Sequence, residues 1–160
     1  MKLTEDTERW RKVVKAGISG RSESRLAALR RAHMAVKLNH TIVHAKDKRV
    51  SADFVADILG LGAPVPFGPF LGVQTGNEVT LDFLETDEEI QTQHYAFLVS
   101  EAEFDAIFAR IQARRLAYWA DPARKRLNQI NTNDGGRGAY FEDPSGNLLE
   151  ILTRPYGSGG

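Results

Sequence analysis

The stretch GAYFEDPSGNLLEILTRP, residues 138–155, decides how the rest of the chain is read. Pro144-Ser145-Gly146-Asn147 has the composition of a tight turn. The run Leu148-Leu149-Glu150-Ile151-Leu152 after it is short and apolar, which predicts a strand. Strand side chains alternate, so Leu149 and Ile151 share one face while Leu148, Glu150 and Leu152 share the other. Glu150 is the odd member, because an unpaired carboxylate on a largely apolar face is costly to desolvate. Two explanations stay open from the run alone. Either this is an edge strand with Glu150 in water, or Glu150 lines a cavity and holds a metal or a proton.

Composition narrows the setting. A 160-residue chain that is 42% hydrophobic and 26% charged suits one globular domain with a real core. No apolar run is long enough to span a bilayer, and no apolar leader opens the chain, so a cytoplasmic protein is expected. There is no cysteine, so any metal would be held by His, Asp or Glu. Net charge is zero but uneven: residues 1–36 carry nine Lys/Arg against four Asp/Glu, and the remainder twelve against seventeen. With a single aromatic, Trp10, and no recognisable motif, the basic segment reads as a solvated helix face that docks on the acidic body or a second subunit, not as a nucleic-acid arm.

Thr4 before Glu5-Asp6 marks a helix start, and Trp10, Val13, Val14 and Ile18 follow at helical spacing. Ser22 or Ser24 caps a second helix carrying Leu26 and Leu29. Residues 1–36 are therefore expected to form an N-terminal helical extension. From Lys37 the period changes to two. LNHTIVHAK reads as a strand and RVSADFVADILGLG as an amphipathic helix, followed by strands around PVPFG, FLGVQT and EVTLDFLE. The order then repeats: QHYAFLVS, the helix EAEFDAIFARIQARR, and strands around AYWAD, GAYFED and LLEILTR. Between the last three lies a long polar loop from Pro122 to Gly136.

The repeat extends to single residues. Aligning NHTIVHAK with QHYAFLVS superposes His40 on His94, and aligning VTLDFLET with NLLEILTR superposes Asp82 on Glu150. Each half opens on a strand with a His near its start and closes on a strand with a central acid. By parity, His40, Ile42 and His44 share the face turned from the helix, as do Thr80, Asp82 and Leu84.

With these residues in view, the chain resembles the vicinal oxygen chelate superfamily of glyoxalases, extradiol dioxygenases, fosfomycin-modifying enzymes and bleomycin-resistance proteins. The motif GAYFEDPSGNLLEI carries the likeness, supported by LNHTIV and QHYAFLV, over residues 37–155. The resemblance implies an α+β fold of two tandem βαβββ modules (37–86 and 92–155), whose curved mixed sheets surround a cavity, with a tail at 156–160. It also implies metal ligands at His40, His94, Glu150 and, most weakly, Asp82, holding a divalent ion such as Fe2+, Mn2+, Zn2+ or Ni2+. Two imidazoles and a carboxylate leave open positions for substrate oxygens.

Tyr140 matches the tyrosine of the extradiol Y-x-x-D-P-x-G pattern, so Tyr140 and Glu150 are the expected catalytic residues. That pattern also places a proton-transferring histidine just upstream, where this chain has NQINTNDGGRG. Asn131 and Asn133 there can hydrogen-bond a substrate but cannot take up a proton. Little oxygen consumption with simple catechols is expected on that ground. Tyr118, Trp119 and Arg137 flank the loop as contacts for an aromatic or anionic substrate, and Phe70 is an expected apolar wall. The leading expectation is a metal-dependent lyase, isomerase or ring-cleaving dioxygenase acting on an oxygenated small molecule, as a homodimer, without nucleic acid or membrane partners. The rival is a metal-free, bleomycin-resistance-like protein that sequesters a small molecule in the same cavity.

Overall fold

The structure is a computed structural model that describes residues 36–159, and the helices expected in the N-terminal extension lie outside them. The elements run β1 (His40–Ala45), α1 (Lys48–Leu59), β2 (Val65–Phe67), β3 (Phe70–Gln74), β4 (Thr80–Glu85), β5 (His94–Leu98), α2 (Glu101–Ala113), β6 (Tyr118–Trp119), a 3-10 turn (Asn133–Gly135), β7 (Gly138–Glu142) and β8 (Leu148–Leu152). They form two four-stranded mixed sheets of identical topology, ordered β1-β4-β3-β2 and β5-β8-β7-β6. The strand–helix–three-strand order read from the sequence is therefore present twice. No helix among the described residues is long and apolar enough to cross a membrane.

Local chemistry sets the helix ends. Asp47 caps α1 by accepting from the amides of Arg49 (2.8 Å) and Val50 (3.0 Å). Gly60 ends α1 in the left-handed region at φ 72°, and a side chain there would strike the Arg110 guanidinium. Arg110 uses that gap to donate from Nε to the Ile58 carbonyl at 2.8 Å, joining the two helices. Ser100 and Glu103 form a reciprocal capping box at the start of α2.

One core serves both halves. Val43, Ala45, Leu71, Val73, Leu81 and Phe83 from the first sheet join Phe141, Leu149 and Ile151 from the second, around Val55, Ile58, Phe104, Ile107 and Ile111 of the helices. These are the strand positions of one parity, so the other parity faces away from the core. The closing turn of the second sheet also joins the modules. Asp143 Oδ1 accepts from the amides of Ser145 (2.9 Å) and Asn147 (2.8 Å), with Gly146 at φ 86°. Asn147 then donates to the His44 carbonyl at 3.2 Å and accepts from the Gln93 amide at 3.0 Å. The Lys46 amide donates to Ser145 Oγ at 3.0 Å.

Candidate metal and substrate site

β4 and β8 are inner strands, each flanked on both sides. Glu150 is consequently not an edge residue in water: it is fully buried, with a side-chain exposure of 0%. Register places Glu150 between Ala96 of β5 and Tyr140 of β7, with Trp119 of β6 beyond Tyr140. Paired residues share a sheet face, so His94, Glu150, Tyr140 and Trp119 lie on one surface.

The two carboxylate oxygens of Glu150 have different surroundings. Oε1 accepts a hydrogen bond from the Tyr156 hydroxyl. Oε2 is buried and accepts none, although His94 Nε2 lies 3.2 Å away. The contact is close but the ring N–H is not aligned to donate into it. With the lone pair on Nε2, two acceptors face one another, an arrangement that a cation between them relieves. Two ligand atoms bound at about 2.1 Å to one ion, at right or tetrahedral angles, stand roughly 3.0–3.4 Å apart, which brackets this spacing. The donor pair fits a divalent metal.

Proton counting orders the rest of this cluster. An ionised carboxylate only accepts, so the single Tyr156 proton is committed to Glu150. Tyr140 must then donate to the Tyr156 oxygen, 2.6 Å away. Burial, followed by the hydrogen bonds to Tyr156 and Glu150, holds the Tyr140 phenol far above the ordinary tyrosine range. Burial and Glu150 likewise push Tyr156 up. Both phenols keep their protons at neutral pH and serve as donors. The Tyr140 ring also lies 5.7 Å from the His94 ring, tilted by 40°.

The first sheet carries its pair separately. His40 and Asp82 line a cavity of about 970 Å³ whose walls, among them Ile42, Val65, Phe67 and Phe70, all come from residues 39–82. His40 Nδ1 is 2.9 Å from Asn39 Oδ1; an amide oxygen only accepts, so Nδ1 carries a proton, the tautomer that leaves Nε2 as the ligand atom. Asp82 is buried opposite Ile42. Gly72 matters here, since a Cβ would come within 3.3 Å of Asp82 Oδ1 and 3.1 Å of Thr80 Cγ2, narrowing the floor of the cavity. Among the described residues of one chain, no three ligating side chains converge. The four residues expected to share one ion thus form two half-sets on two sheets.

Three expected substrate contacts have other partners. Tyr118 has core parity, and its ring meets Phe108 edge-on at 5.0 Å. Arg137 lies over the Phe104 ring at 4.4 Å and pairs with Glu101 and Asp105 at 2.6 Å each, so its charge is already matched on the helix side. Asn131 is buried and donates to the Ala120 carbonyl at 3.1 Å, bridging the loop to β7. Trp119 and Phe70 remain on ligand-bearing surfaces, and Asn133 opens the turn beside the tail. The 122–136 segment is tied at both ends, by Ala120 N to Arg126 O (3.1 Å) and by the paired Asn131 and Gly138. Tyr156 was not legible as a site residue. It lies in the tail beyond the last strand, where alternation gives no direction, and only its place after Pro155 marks a turn back.

Comparison with known proteins follows the same outline. A family profile described as the Glyoxalase/Bleomycin resistance protein/Dioxygenase superfamily matches residues 37–151. The chain is similar to two solved structures titled Oxidase ChaP-H1 and Oxidase ChaP-H2. The first is 63% identical with a TM-score of 0.76, covering 77% of this chain and 99% of the other. The second is 62% identical with a TM-score of 0.77, covering 79% and 100%. Among curated proteins, it is 27% identical to Glutathione transferase FosA of Serratia marcescens, over 74% of this chain and 81% of that one. A stronger but shorter match, 42% over 62 residues, is to Metallothiol transferase FosB of Shouchella clausii (strain KSM-K16) and spans only 37% of that protein.

Proposed function

Given that this chain belongs to the Glyoxalase/Bleomycin resistance protein/Dioxygenase superfamily, we propose that it is a divalent-metal-dependent oxidase acting on an oxygenated small molecule. The observation that carries this reading is the buried, unpartnered Oε2 of Glu150 facing His94 Nε2. Leaving such an oxygen desolvated and unpaired is expensive, and a cation is the partner that fits. The similarity to proteins titled oxidases supports the reaction class.

His94 and Glu150 would hold the ion from one chain and His40 from a second copy, because a single chain keeps the half-sets apart. A homodimer built this way carries two equivalent sites. Asp82, on the His40 half, is the weakest candidate ligand. The bound ion would supply Lewis-acid chemistry to substrate oxygens and a route for dioxygen. The chain's own residues do the positioning. Ile42, Phe67 and Phe70 offer an apolar wall to the body of a substrate, and Trp119 a flat one beside Tyr140. Tyr140, protonated but with a lone pair free, can accept a hydrogen bond from a substrate hydroxyl. No histidine follows His94 in the chain, so the placed candidates to take a proton from substrate are the carboxylates, of which Asp82 is the one not engaged with a tyrosine.

The test combines elemental analysis of untagged protein with oxygen uptake. A stoichiometric transition metal, and uptake with a member of a panel of oxygenated aromatic and 2-oxo compounds that Glu150→Gln abolishes, is the expected result. Protein that is metal-free, binds such compounds tightly and is indifferent to Glu150→Gln would overturn the oxidase reading in favour of sequestration. The roomy apolar cavity on the first sheet is the feature that sequestration would use.

A further inference from the structure

We propose that the C-terminal stretch Pro155–Gly159 is a latch in which Tyr156 fixes the Glu150 carboxylate so that Oε2 alone faces the metal, and Asp134 holds Tyr156 in place. This rests on the reading of Glu150 as a ligand, and it adds two positioning residues that touch neither the ion nor the substrate.

The chain itself forms the latch. β8 ends at Leu152, and Pro155 forbids further pairing on its side because it lacks an N–H. The chain then reverses: the Ser158 amide and hydroxyl both donate to the Pro155 carbonyl, at 3.2 and 2.6 Å, with Gly157 at φ 77°. Asp134 receives the returning strand of this turn. Its Oδ2 accepts from the Gly157 amide at 3.2 Å and its Oδ1 from the Gly159 amide at 3.3 Å. The fit is close enough that a Cβ on Gly159 would come within 2.8 Å of Asp134 Cα. Asp134 is itself in the left-handed region, φ 54°, where an Asp is tolerated better than most side chains.

The result is a tyrosine whose ring stays half exposed while its hydroxyl is committed to a fully buried carboxylate. A carboxylate with one oxygen occupied by a strong donor binds an ion through the other. With both oxygens free it can rotate or chelate. Tyr140, donating to Tyr156, fixes the direction of that hydroxyl in turn. Outer groups that orient a ligand in this way typically govern metal affinity by about 10- to 100-fold.

The experiment uses the full chain, stripped with chelator, titrated calorimetrically with Mn(II) and followed by the visible spectrum with Co(II). The variants are Glu150→Gln, Tyr156→Phe, Asp134→Ala and the double Tyr156→Phe/Asp134→Ala. Tyr156→Phe and Asp134→Ala should each weaken Mn(II) binding by about tenfold or more. Both should shift the Co(II) bands, which a loss of global stability with the Tyr156–Glu150 contact intact would not move. The double variant should be no worse than Tyr156→Phe, because Asp134 acts through that residue. If wild type and Glu150→Gln bind Mn(II) alike, the ligand reading falls and the latch with it. If Glu150→Gln loses the ion while Tyr156→Phe binds and absorbs like wild type, the latch alone is refuted. Additive losses in the double variant would remove Asp134 from it.

Discussion

Glu150→Gln should reverse the order of stability between metal-free and metal-loaded protein. In the metal-free chain, Oε2 is desolvated without a donor and faces an imidazole nitrogen. Glutamine has the same shape, so its oxygen can still accept from Tyr156 while its amide nitrogen donates to His94 Nε2. Relieving one buried unsatisfied acceptor is worth about 2 kcal/mol, which for a chain of this size raises Tm by roughly 4–8 °C. Metal acts the other way. At a free concentration a thousandfold above Kd, binding adds about 4.1 kcal/mol to wild type and almost nothing to the variant. The difference, about 4.1 less 2, leaves wild type ahead by roughly 2 kcal/mol. Differential scanning calorimetry in EDTA and in excess Mn(II), at one fixed protein concentration, reads both halves. A variant less stable than wild type in EDTA, or equal metal-induced shifts in the two proteins, would refute the reasoning.

The proposed sharing of one ion between two copies predicts complementation. Mixing inactive His40→Ala protein with inactive Glu150→Gln protein, under conditions that exchange subunits, should restore about a quarter of the sites, since half the dimers are mixed and each has one intact set. Restoration of none by Mn(II) titration would confine the ligands to one chain. The phenols predict an alkaline limit. Folding raises the Tyr140 and Tyr156 pKa values, so their contribution is complete below the unfolded tyrosine range near 10 and is lost as pH rises above it. Denaturant midpoints should therefore fall above about pH 10, and less so in Tyr140→Phe. Arg137→Ala should lower Tm by a few degrees through loss of the Phe104 contact and its ion pairs, yet leave Mn(II) affinity unchanged. A large loss of metal or substrate affinity would return Arg137 to the site.

The two modules were legible because strand parity and the repeat reinforced each other. His40 and Asp82 of β1 and β4 mirror His94 and Glu150 of β5 and β8, and the alternation correctly separated Val43, Leu81 and Ile151 as core. The same parity argument, carried one strand further, would have turned Tyr118 inward, since it neighbours Trp119 and cannot share its face. Arg137 misled because an unpaired cation beside a loop looks available until the fold brings Glu101 and Asp105 to it from 36 and 32 residues away. Tyr156 and Asp134 lay beyond any periodic reading. Their meeting depends on a chain reversal whose partners are backbone amides, and amides carry no sequence signal.

The stitches made by Ser145 and Asn147 have a consequence for assembly. If one ion is shared between copies as proposed, a chain with two unlike half-sites is bivalent, each half-site meeting its complement on another copy. Such a unit can close as a pair, with both half-sites satisfied at once, or add units end to end without limit. Which of these occurs would depend on the angle between the two sheets within one chain, which the shared core sets and which the Asn147 bond to the His44 carbonyl and the Ser145 bond to Lys46 help to hold. On that reading a turn of four residues, acting with the shared core, would favour closure as a pair over growth.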